Sequence, residues 1–491
     1  MSAGEAGVHG IWRGRWTFIL AATGSAVGLG NIWKFPYITG ENGGGAFVLM
    51  YLLCILVAGI PVMMAEIMMG RKGRRSPIHT MQNLTHEFKA PKAFIGIGWM
   101  GAAAGFFILS FYSVIAGWTL AYAGKMAAGV FTGAGPEVAT ASFAALLASP
   151  WALMALHTLF LLLTGSIIAL GVNRGLENGV QMLMPALFVM LILLFGYALT
   201  TPGFTQGWNF MFSFEPEKIT GTSFVVALGH AFFTLSIGMG AIMAYGAYMP
   251  KKASLGKTVL AVALLDTLVA LIAGLIIFPI VFSNGLEPGA GPGLIFQTLP
   301  IAFGSLPAGN LIGAVFFVLV LVAAWTSAIS IAEPAVAWAV EKGFSRIQAT
   351  VAVCGLAWLI GIGTVLSFNV ISDKQVFVQV KTLDSQGEVL HSELHWYADV
   401  AVLKASLPVQ EERTYQVEGK TFFGMLDFLT SNIMMPLGGM LIALFAGWFM
   451  TRKSVADESR LQPSWLLSLW RFMLRVVSPL AIFYIFISGL L

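Results

Sequence analysis

The chain has 491 residues, of which 57% are hydrophobic and only 10% are charged, and its mean hydropathy is +0.83. A soluble domain is about one quarter charged, so this composition excludes an ordinary soluble protein and indicates an all-α polytopic membrane protein. The net charge of +4 does not indicate nucleic-acid binding, because the basic residues cluster at the ends of apolar runs. The two cysteines, Cys54 and Cys354, lie far apart inside such runs and predict neither a disulfide framework nor a metal site.

Eleven apolar segments follow one another, each long enough to cross a bilayer as a helix. Their predicted bounds are 13–37, 42–69, 94–126, 150–170, 176–200, 223–249, 256–283, 311–341, 346–368, 421–450 and 464–490. Because the first run leads directly into the others, we expect no cleavable signal peptide. An odd number of spans puts the termini on opposite sides. Most of the 27 lysines and arginines are cytoplasmic if the N-terminus is inside.

This orientation predicts a multi-pass protein of the plasma membrane, the inner membrane in a bacterium. Residues 1–12 and 451–463 would be cytoplasmic, and the loop 201–222 and the C-terminus extracellular or periplasmic. The one soluble-looking stretch, residues 369–420, would lie outside as well. Its segments KQVFVQVKTL and LHWYADVAVL alternate as strands do, and DSQGE between them reads as a turn, so we expect a small β-hairpin. Its simplest interpretation is a tolerated surface insertion without a transport role.

Two of the eleven spans are interrupted near mid-depth. The first contains TGSAVGLGNIWKFPY, with Gly24, Gly28, Gly30 and Asn31, and the sixth contains HAFFTLSIGMGAIMAYG, with Thr234, Ser236, Gly238 and Gly240. Irregular backbone at membrane depth persists only where it lines a protein cavity or binds a ligand. Interruptions five spans apart indicate two five-helix repeats of inverted topology, residues 13–200 and 223–450, followed by one C-terminal helix within 464–491. Glycines that merely allow close helix packing are the alternative, but they explain neither Asn31 nor the second interruption.

Six motifs along the chain resemble those of the neurotransmitter:sodium symporter family, most closely its bacterial amino-acid transporters. They are GSAVGLGNIWKFPY followed by ENGGGAF, then GIPVMMAEIMMGRKG, FFTLSIGMGA, WTSAISIAEP and LDFLTSN. The resemblance covers the chain apart from the outer loop. It implies a secondary symporter that imports a neutral, hydrophobic L-amino acid by alternating access, with two sodium ions.

The resemblance implies oxygen ligands for both ions, as hard cations require. Site 1 would use the carbonyl of Ala26, the amide oxygen of Asn31, Thr234, Asp266 and the substrate carboxylate. Site 2 would use carbonyls of Gly24, Val27 and Ala323 with the hydroxyls of Thr326 and Ser327. A ligand shared between ion and substrate makes their binding mutually dependent.

Asp266 departs from many animal relatives, which carry asparagine there and serine four residues later, and which bind chloride nearby. This chain has Asp266 and Ala270. A fixed carboxylate would supply the charge that chloride supplies elsewhere, so we expect chloride-independent transport. A lone acid satisfied by interhelical bonds is the alternative.

By the same resemblance, the substrate carboxylate would meet the main chain of Leu29 and Gly30 and the hydroxyl of Tyr112. The ammonium group would meet carbonyls of Ala26, Phe233 and Thr234 and the hydroxyl of Ser236. The side chain would contact Ser25, Ile115, Met239, Ser327 and Ile331. Gly28 stands where monoamine transporters carry aspartate, which favours a substrate that brings its own carboxylate.

Gating residues are also implied. Lys34 and Asp427 match an outer charged pair, although lysine lacks the fork of the usual arginine. Phe233 and Tyr112 would form an aromatic lid, and Glu66 would hold the unwound first span. Glu341 matches half of an inner gate whose usual partner aligns with His9, with Arg13 or Arg15 as substitutes.

His230 lies one turn before the second interruption, at a position where members of the family commonly carry glutamine. It is either a satisfied polar residue facing the outer vestibule or a group that makes uptake pH-sensitive.

Two other functional classes stay open at this stage. A sodium-conducting channel or a substrate sensor could use the same fold, whereas a membrane enzyme is disfavoured because no nucleotide loop or nucleophile–histidine–acid set is apparent. The expected partners are a small amino acid and membrane lipid, with no nucleic acid, in a monomer or loose dimer.

Overall fold

The computed structural model describes residues 10–286, 293–383, 389–406 and 414–488. Within them, nine helices are long and apolar enough to cross a membrane. Their bounds are Gly45–Gly73, Lys92–Ala127, Pro150–Ala169, Val172–Ala198, Leu255–Phe282, Gly309–Glu341, Arg346–Ser367, Phe422–Phe449 and Ser464–Ser488. Two further apolar regions, the predicted first and sixth spans, are divided into shorter helices. The fold is the predicted polytopic helical one, and the bounds differ from the predicted ones by a few residues.

Individual α-helices are numbered here in chain order, because several spans contain π-helical turns that divide them. In the first half they are α1 (Arg15–Ala26), α2 (Phe35–Glu41), α3 (Gly45–Cys54), α4 (Ile60–Gly73), α5 (Pro77–Glu87), α6 (Gly96–Ala127), α7 (Pro136–Leu147), α8 (Pro150–Ala169), α9 (Asn178–Ala198) and α10 (Phe204–Phe212). In the second half they are α11 (Gly221–Thr234), α12 (Ala241–Tyr248), α13 (Leu255–Phe282), α14 (Leu299–Gly304), α15 (Gly309–Glu341), α16 (Arg346–Ser367), α17 (Val400–Ser406), α18 (Phe422–Asp427), α19 (Met435–Leu444), α20 (Arg452–Ser459), α21 (Ser464–Phe472) and α22 (Ser478–Ser488). The π-helical segments are Gly30–Lys34, Ile55–Gly59, Val172–Glu177, Leu294–Thr298, Phe428–Met434, Phe445–Phe449 and Met473–Val477.

Helix boundaries follow local chemistry. The Ser345 hydroxyl accepts from the N–H of Gln348, whose side chain accepts in turn from the N–H of Ser345, so a capping box begins α16. Ser149 and Thr451 cap α8 and α20 in the simpler way, and prolines occupy the first turn of α4, α5 and α8.

Large apolar side chains cover the outer surface of the bundle. Leu162, Met182, Leu193, Leu264 and Val351 are between 61% and 66% exposed. Exposing so much apolar surface to water is unfavourable, whereas contact with lipid is not. These faces are therefore the ones that a membrane covers. The centre of the bundle is formed by α1, α6, α11, α12 and α15, and α6 packs along much of α15.

The insertion forms a three-stranded antiparallel sheet rather than a two-stranded hairpin. Its strands are β1 (Lys374–Leu383), β2 (Val389–Asp399) and β3 (Thr414–Lys420), in the order β2-β1-β3. The β1–β2 pair is the expected hairpin, although residues 400–403 of the predicted second strand belong to α17 and the predicted turn 384–388 lies outside the described residues. We call the face of the protein that carries these strands the sheet side.

Candidate functional site

The first span is interrupted between Ala26 and Gly30. Val27 leaves helical geometry at ψ 104°, and the chain resumes as a π-helical turn. Asn31 stabilises the interruption, because its amide oxygen accepts from the N–H of Gly28 at 3.0 Å. The side chain therefore replaces a helical hydrogen bond that the interruption removes.

The sixth span is interrupted between Thr234 and Ala241. Ser236, Gly238 and Gly240 have positive φ angles of 53°, 82° and 73°. A Cβ atom at Gly238 would lie 2.5 Å from the carbonyl oxygen of Met435, so only glycine fits there. The two interruptions meet directly, since the hydroxyl of Ser236 donates to the carbonyl of Ser25 at 2.8 Å.

Glu66 contacts the sixth span, and its predicted role of holding the first span stays a prediction. Its carboxylate accepts from the N–H of Gly238 at 3.0 Å, inside the second interruption. Glu66 lies on α4, which packs against α12, and this packing brings the carboxylate to that backbone.

Asp266 lies at the junction of the two interrupted spans and is completely buried. Its carboxylate accepts from the Asn31 amide at 2.7 Å and from the Thr234 hydroxyl at 3.1 and 3.2 Å. Within the described part of the chain, no cationic side chain forms an ion pair with it. A buried carboxylate that meets only neutral donors leaves negative charge uncompensated, which favours a cation at this place.

The second predicted ion site surrounds the hydroxyl of Ser327 on α15. That oxygen lies 3.3, 3.3 and 3.1 Å from the carbonyl oxygens of Gly24, Ser25 and Val27. The neighbouring Thr326 hydroxyl lies 3.0 Å from the carbonyl oxygen of Ala323. Carbonyl and hydroxyl oxygens from α1 and α15 thus face one another, as a sodium ion requires.

A cavity lies between the two interruptions, with an empty volume of about 320 Å³ including its opening. All predicted substrate-binding residues except Ile115 line it. They are Ser25, Ala26, Leu29, Gly30, Tyr112, Phe233, Thr234, Ser236, Met239, Ser327 and Ile331, and Gly28 and Ile108 join them. The Leu29 N–H donates to the Tyr112 hydroxyl at 3.3 Å. A Cβ atom at Gly28 would lie 2.6 Å from Ser327 Oγ, so a side chain there would enter both predicted sites.

A larger cavity opens from this centre towards the sheet side. Leu29, Gly30, Tyr112 and Phe233 line both cavities, and Ile115, Phe111, Phe423, Lys34, Tyr37 and Asp427 line only the outer one, which we call the vestibule. Tyr112 and Phe233 thus border both spaces, and their closure as a lid stays a prediction. Ile115 faces the vestibule, and Ile108, two helical turns earlier on α6, takes its predicted place.

Lys34 and Asp427 both face the vestibule but form no ion pair with any residue in the described ranges. The Lys34 ammonium lies 5.1 Å from the centre of the Phe233 ring, and Asp427 accepts from the Ser431 hydroxyl at 3.1 Å. The predicted outer pair is therefore not formed in this conformation.

His230 borders an adjoining part of the outer opening and is only 2% exposed. Its ring centre lies 5.8 Å from that of Phe35 and 5.4 Å from that of Tyr51, and neither ring nitrogen has a hydrogen-bond partner in the described structure. His230 thus borders the outer opening, as both of its interpretations predict, and no protein group of the described structure satisfies its ring nitrogens.

The side opposite the sheet is closed by a buried ion pair. Both guanidinium Nη atoms of Arg346 donate to the carboxylate of Glu333, one of them at 2.9 Å, and the Tyr248 hydroxyl donates to the same carboxylate at 2.5 Å. Trp12 packs beside this group, and its N–H donates to the carbonyl of Tyr248 at 3.1 Å. Glu333 is a functional candidate that sequence reasoning missed, although an acid within an apolar span is the signal that could have found it.

Glu341 also lies on this opposite side, where it contacts α5. It accepts from the N–H and hydroxyl of Ser76 at 2.8 and 2.5 Å and is bonded to His79. Of its predicted partners, His9 lies outside the described residues, and a gate formed with Arg13 or Arg15 stays a prediction. Ser76 and His79 are thus contacts of Glu341 that sequence reasoning missed.

Two interrupted helices that meet around a buried carboxylate, next to a small cavity and a wider vestibule, define a membrane transporter with discontinuous helices. The sequence profile of the Sodium:neurotransmitter symporter family matches residues 9–130 and 145–377. The chain belongs to this family and is a sodium-dependent, multi-pass membrane transporter.

Individual proteins agree with this assignment. An uncharacterized sodium-dependent transporter of Bacillus subtilis, YhdH, is 35% identical over 97% of both chains. A sodium-dependent transporter of Haemophilus influenzae, also uncharacterized, is 31% identical over 98% of both. The crystal structure of MhsT in complex with L-phenylalanine covers 99% of this chain and 100% of its own, with a TM-score of 0.82 and 38% identity.

Proposed function

We propose that the protein is a symporter that couples two sodium ions to the uptake of a neutral, hydrophobic L-amino acid, without chloride. The observation that carries this proposal is Asp266. It is a fully buried carboxylate, bonded to Asn31 and Thr234 at the meeting point of the interrupted spans, with no cationic side chain paired to it in the described ranges. A sodium ion would compensate this charge.

The first sodium would be bound by Ala26, Asn31, Thr234 and Asp266 and by the carboxylate of the substrate. Asn31 and Thr234 already contact Asp266, and Ala26 and Thr234 line the central cavity. Because one ligand belongs to the substrate, ion and substrate each increase the affinity of the other by the same factor.

The second sodium would be bound by Gly24, Val27, Ala323, Thr326 and Ser327. Gly24 lies on α1, Val27 directly follows its last residue, and the other three lie on α15, so the ion would hold the two helices together. Its release would then favour separation of α1 from α15 and opening of the side opposite the sheet.

The substrate class rests on the cavity and on a structural neighbour. Its lining combines apolar side chains, among them Ile108, Met239 and Ile331, with uncharged hydroxyl groups and backbone. The hydroxyls belong to Ser25, Tyr112, Thr234, Ser236 and Ser327. Gly28 leaves no acidic side chain to replace a substrate carboxylate. The similar structure of MhsT holds L-phenylalanine, which is consistent with a hydrophobic amino acid here.

In alternating access, the central cavity would open first to one side of the membrane and then to the other. Residues 13–200 and 223–450 would act as inverted repeats, and the sheet side would be extracellular or periplasmic, with a cytoplasmic N-terminus. The charge distribution of the loops supports this orientation.

Uptake into proteoliposomes tests the proposal. The purified protein should accumulate one or more hydrophobic amino acids only with an inward sodium gradient, and replacement of chloride by gluconate should leave the rate unchanged. A channel would not concentrate substrate, and a sensor would bind without uptake. A large loss of uptake in gluconate would contradict chloride independence but not sodium-coupled transport.

The accumulation limit tests the number of ions. One charge crossing 100 mV is worth about 2.3 kcal/mol, and a tenfold gradient is worth about 1.4 kcal/mol. Two sodium ions therefore permit roughly 10⁵-fold accumulation, whereas one permits a few hundred-fold. One net charge per substrate, measured without proton counter-movement, would reject the two-ion stoichiometry.

A further inference from the structure

Three arginines gather where the last two spans meet, on the side of the membrane opposite the sheet. Arg471 and Arg475 lie in the span Ser464–Ser488, and Arg452 begins α20, just after the preceding span ends. Arg471 and Arg475 both contact the carbonyl of Gly447, and Arg452 follows two residues after Met450, whose carbonyl Arg471 also contacts. Across the described part of the chain, none of the three forms an ion pair with a carboxylate. Three like charges are thus placed together without compensation.

Helix capping explains only part of this arrangement. Arg471 Nη2 donates to the carbonyls of Gly447 and Met450 at 3.0 and 3.3 Å, and Arg475 Nε donates to that of Gly447 at 2.7 Å. These bonds satisfy the free carbonyls at the end of the preceding span. Arg471 is only 8% exposed, however, and its Nη1 is buried with no hydrogen-bond partner in the described structure. An unpaired guanidinium nitrogen at this depth indicates an anionic ligand.

Apolar and aromatic side chains surround the arginines and point away from the protein. The Arg475 guanidinium lies 5.1 Å from the centre of the Trp448 ring, and Trp448 is 58% exposed. Phe472, Leu469 and Val476 are exposed on the same span. Exposed tryptophan beside arginine is typical of the boundary between acyl chains and headgroups. A ligand that is anionic at one end and apolar at the other fits both halves of this surface.

We propose that Arg452, Arg471 and Arg475 bind the phosphate of an anionic phospholipid in the leaflet opposite the sheet side. The phosphate would accept from Arg471 Nη1 and from the remaining N–H groups of Arg475, and Arg452 would add charge from the surface. The acyl chains would lie along Trp448 and Phe472. This site is separate from the central cavity and does not depend on the identity of the transported substrate.

Native mass spectrometry of the full-length protein tests the proposal. Protein from nanodiscs of mixed phosphatidylglycerol and phosphatidylcholine should retain phosphatidylglycerol selectively. Each basic residue near a membrane surface is worth about fivefold in affinity for anionic lipid. We therefore expect Arg475→Gln to lower retention about fivefold, and Arg475→Gln with Arg452→Gln about 25-fold. Lys92→Gln, an exposed basic residue on the same side but outside the cluster, is the matched control and should change nothing.

Two further arms separate lipid binding from its alternatives. Arg475→Lys keeps the charge and should retain most of the lipid, and melting in pure phosphatidylcholine shows whether each variant is folded. If inorganic phosphate stabilises the wild type in phosphatidylcholine as much as phosphatidylglycerol does, the site binds free phosphate and the proposal is wrong. Equal retention of both lipids by the wild type, or unchanged retention in the folded double variant, would leave only helix capping and would also overturn it.

Discussion

The two ends of the path through the protein are built differently. On the sheet side, Lys34 and Asp427 face an open vestibule and are not joined to each other. On the opposite side, Glu333, Arg346 and Tyr248 form a buried bonded group under Trp12, and Glu341 is bonded to Ser76 and His79. In this structure the charged residues of the sheet side are therefore not joined, whereas those of the opposite side are bonded to one another.

The two groups of charged residues therefore differ in the free energy needed to separate them. Exposed charges that meet across a vestibule contribute about 0–1 kcal/mol. Breaking a buried pair by removing one partner costs about 3–5 kcal/mol, because a charge is left buried without compensation. Sodium binding at the α1–α15 contact would therefore need to act mainly on the side opposite the sheet.

The largest effect should follow from Glu333→Gln, which leaves Arg346 without its counter-charge. The closed state of the opposite side should lose about 3–5 kcal/mol, so the open population should rise at least a hundredfold. Amide hydrogen exchange of residues 11–26 and 241–248 should increase accordingly. The double variant Glu333→Gln, Arg346→Met removes both charges and should recover most of the protection. If amide hydrogen exchange in the Glu333→Gln variant were as slow as in the wild type, this ion pair would not be what keeps the path closed.

Asp266→Asn removes the charge at the centre, between the two gates. Hydrogen bonds and contacts to a charged group are worth about 1.5–3 kcal/mol, so the sodium concentration for half-maximal uptake should rise about 10- to 100-fold. The matched control is Asp427→Asn, the same chemical change in the vestibule, which should have less than a fivefold effect. If both variants raised the sodium concentration for half-maximal uptake equally, the special role of Asp266 in sodium binding would be contradicted.

A smaller change is expected from Glu341→Gln. The amide keeps one oxygen for the Ser76 N–H, and its NH2 group replaces the charged oxygen that accepts from the Ser76 hydroxyl and is bonded to His79. The expected loss is about 1.5 kcal/mol, or about tenfold in the closed population, measured as exchange of residues 74–80. His79→Gln should produce a similar change. If Glu341→Gln increased exchange more than Glu333→Gln does, the contacts of Glu341 would stabilise the closed state more than the Glu333–Arg346 pair, contrary to this prediction.

The sequence predicted the interrupted spans well because their signal is local. Glycine and asparagine within an apolar run conflict with an uninterrupted helix, and Asp266 within another run conflicts with burial in lipid. Each of these conflicts is visible without knowledge of any neighbour, and each falls at the centre of the structure.

Predictions that depended on the relative depth of two helices were less successful. Ile108 and Ile115 lie on one face of α6, two turns apart, so the sequence could not tell which reaches the cavity. Glu66 contacts the sixth interruption because α4 packs on α12, and Glu341 contacts His79 across 262 residues of chain. The strand β3 was missed because it also depends on a distant partner. Its pairing with β1 is set by the register of the sheet and not by its own short sequence pattern.

The smallest expected effect concerns the loosely held gate itself. Lys34→Arg supplies a planar fork that can bond both oxygens of Asp427, which lysine cannot do. An exposed pair of this kind should contribute about 0.5–1 kcal/mol, and substrate release towards the sheet side should slow two- to fivefold in an exchange assay. Because the gain depends on the partner, it should vanish in the Asp427→Asn background, and that double-mutant cycle measures the pair alone. Slower release that persists without Asp427 would mean that the arginine acts through Phe233, whose ring Lys34 already covers at 5.1 Å.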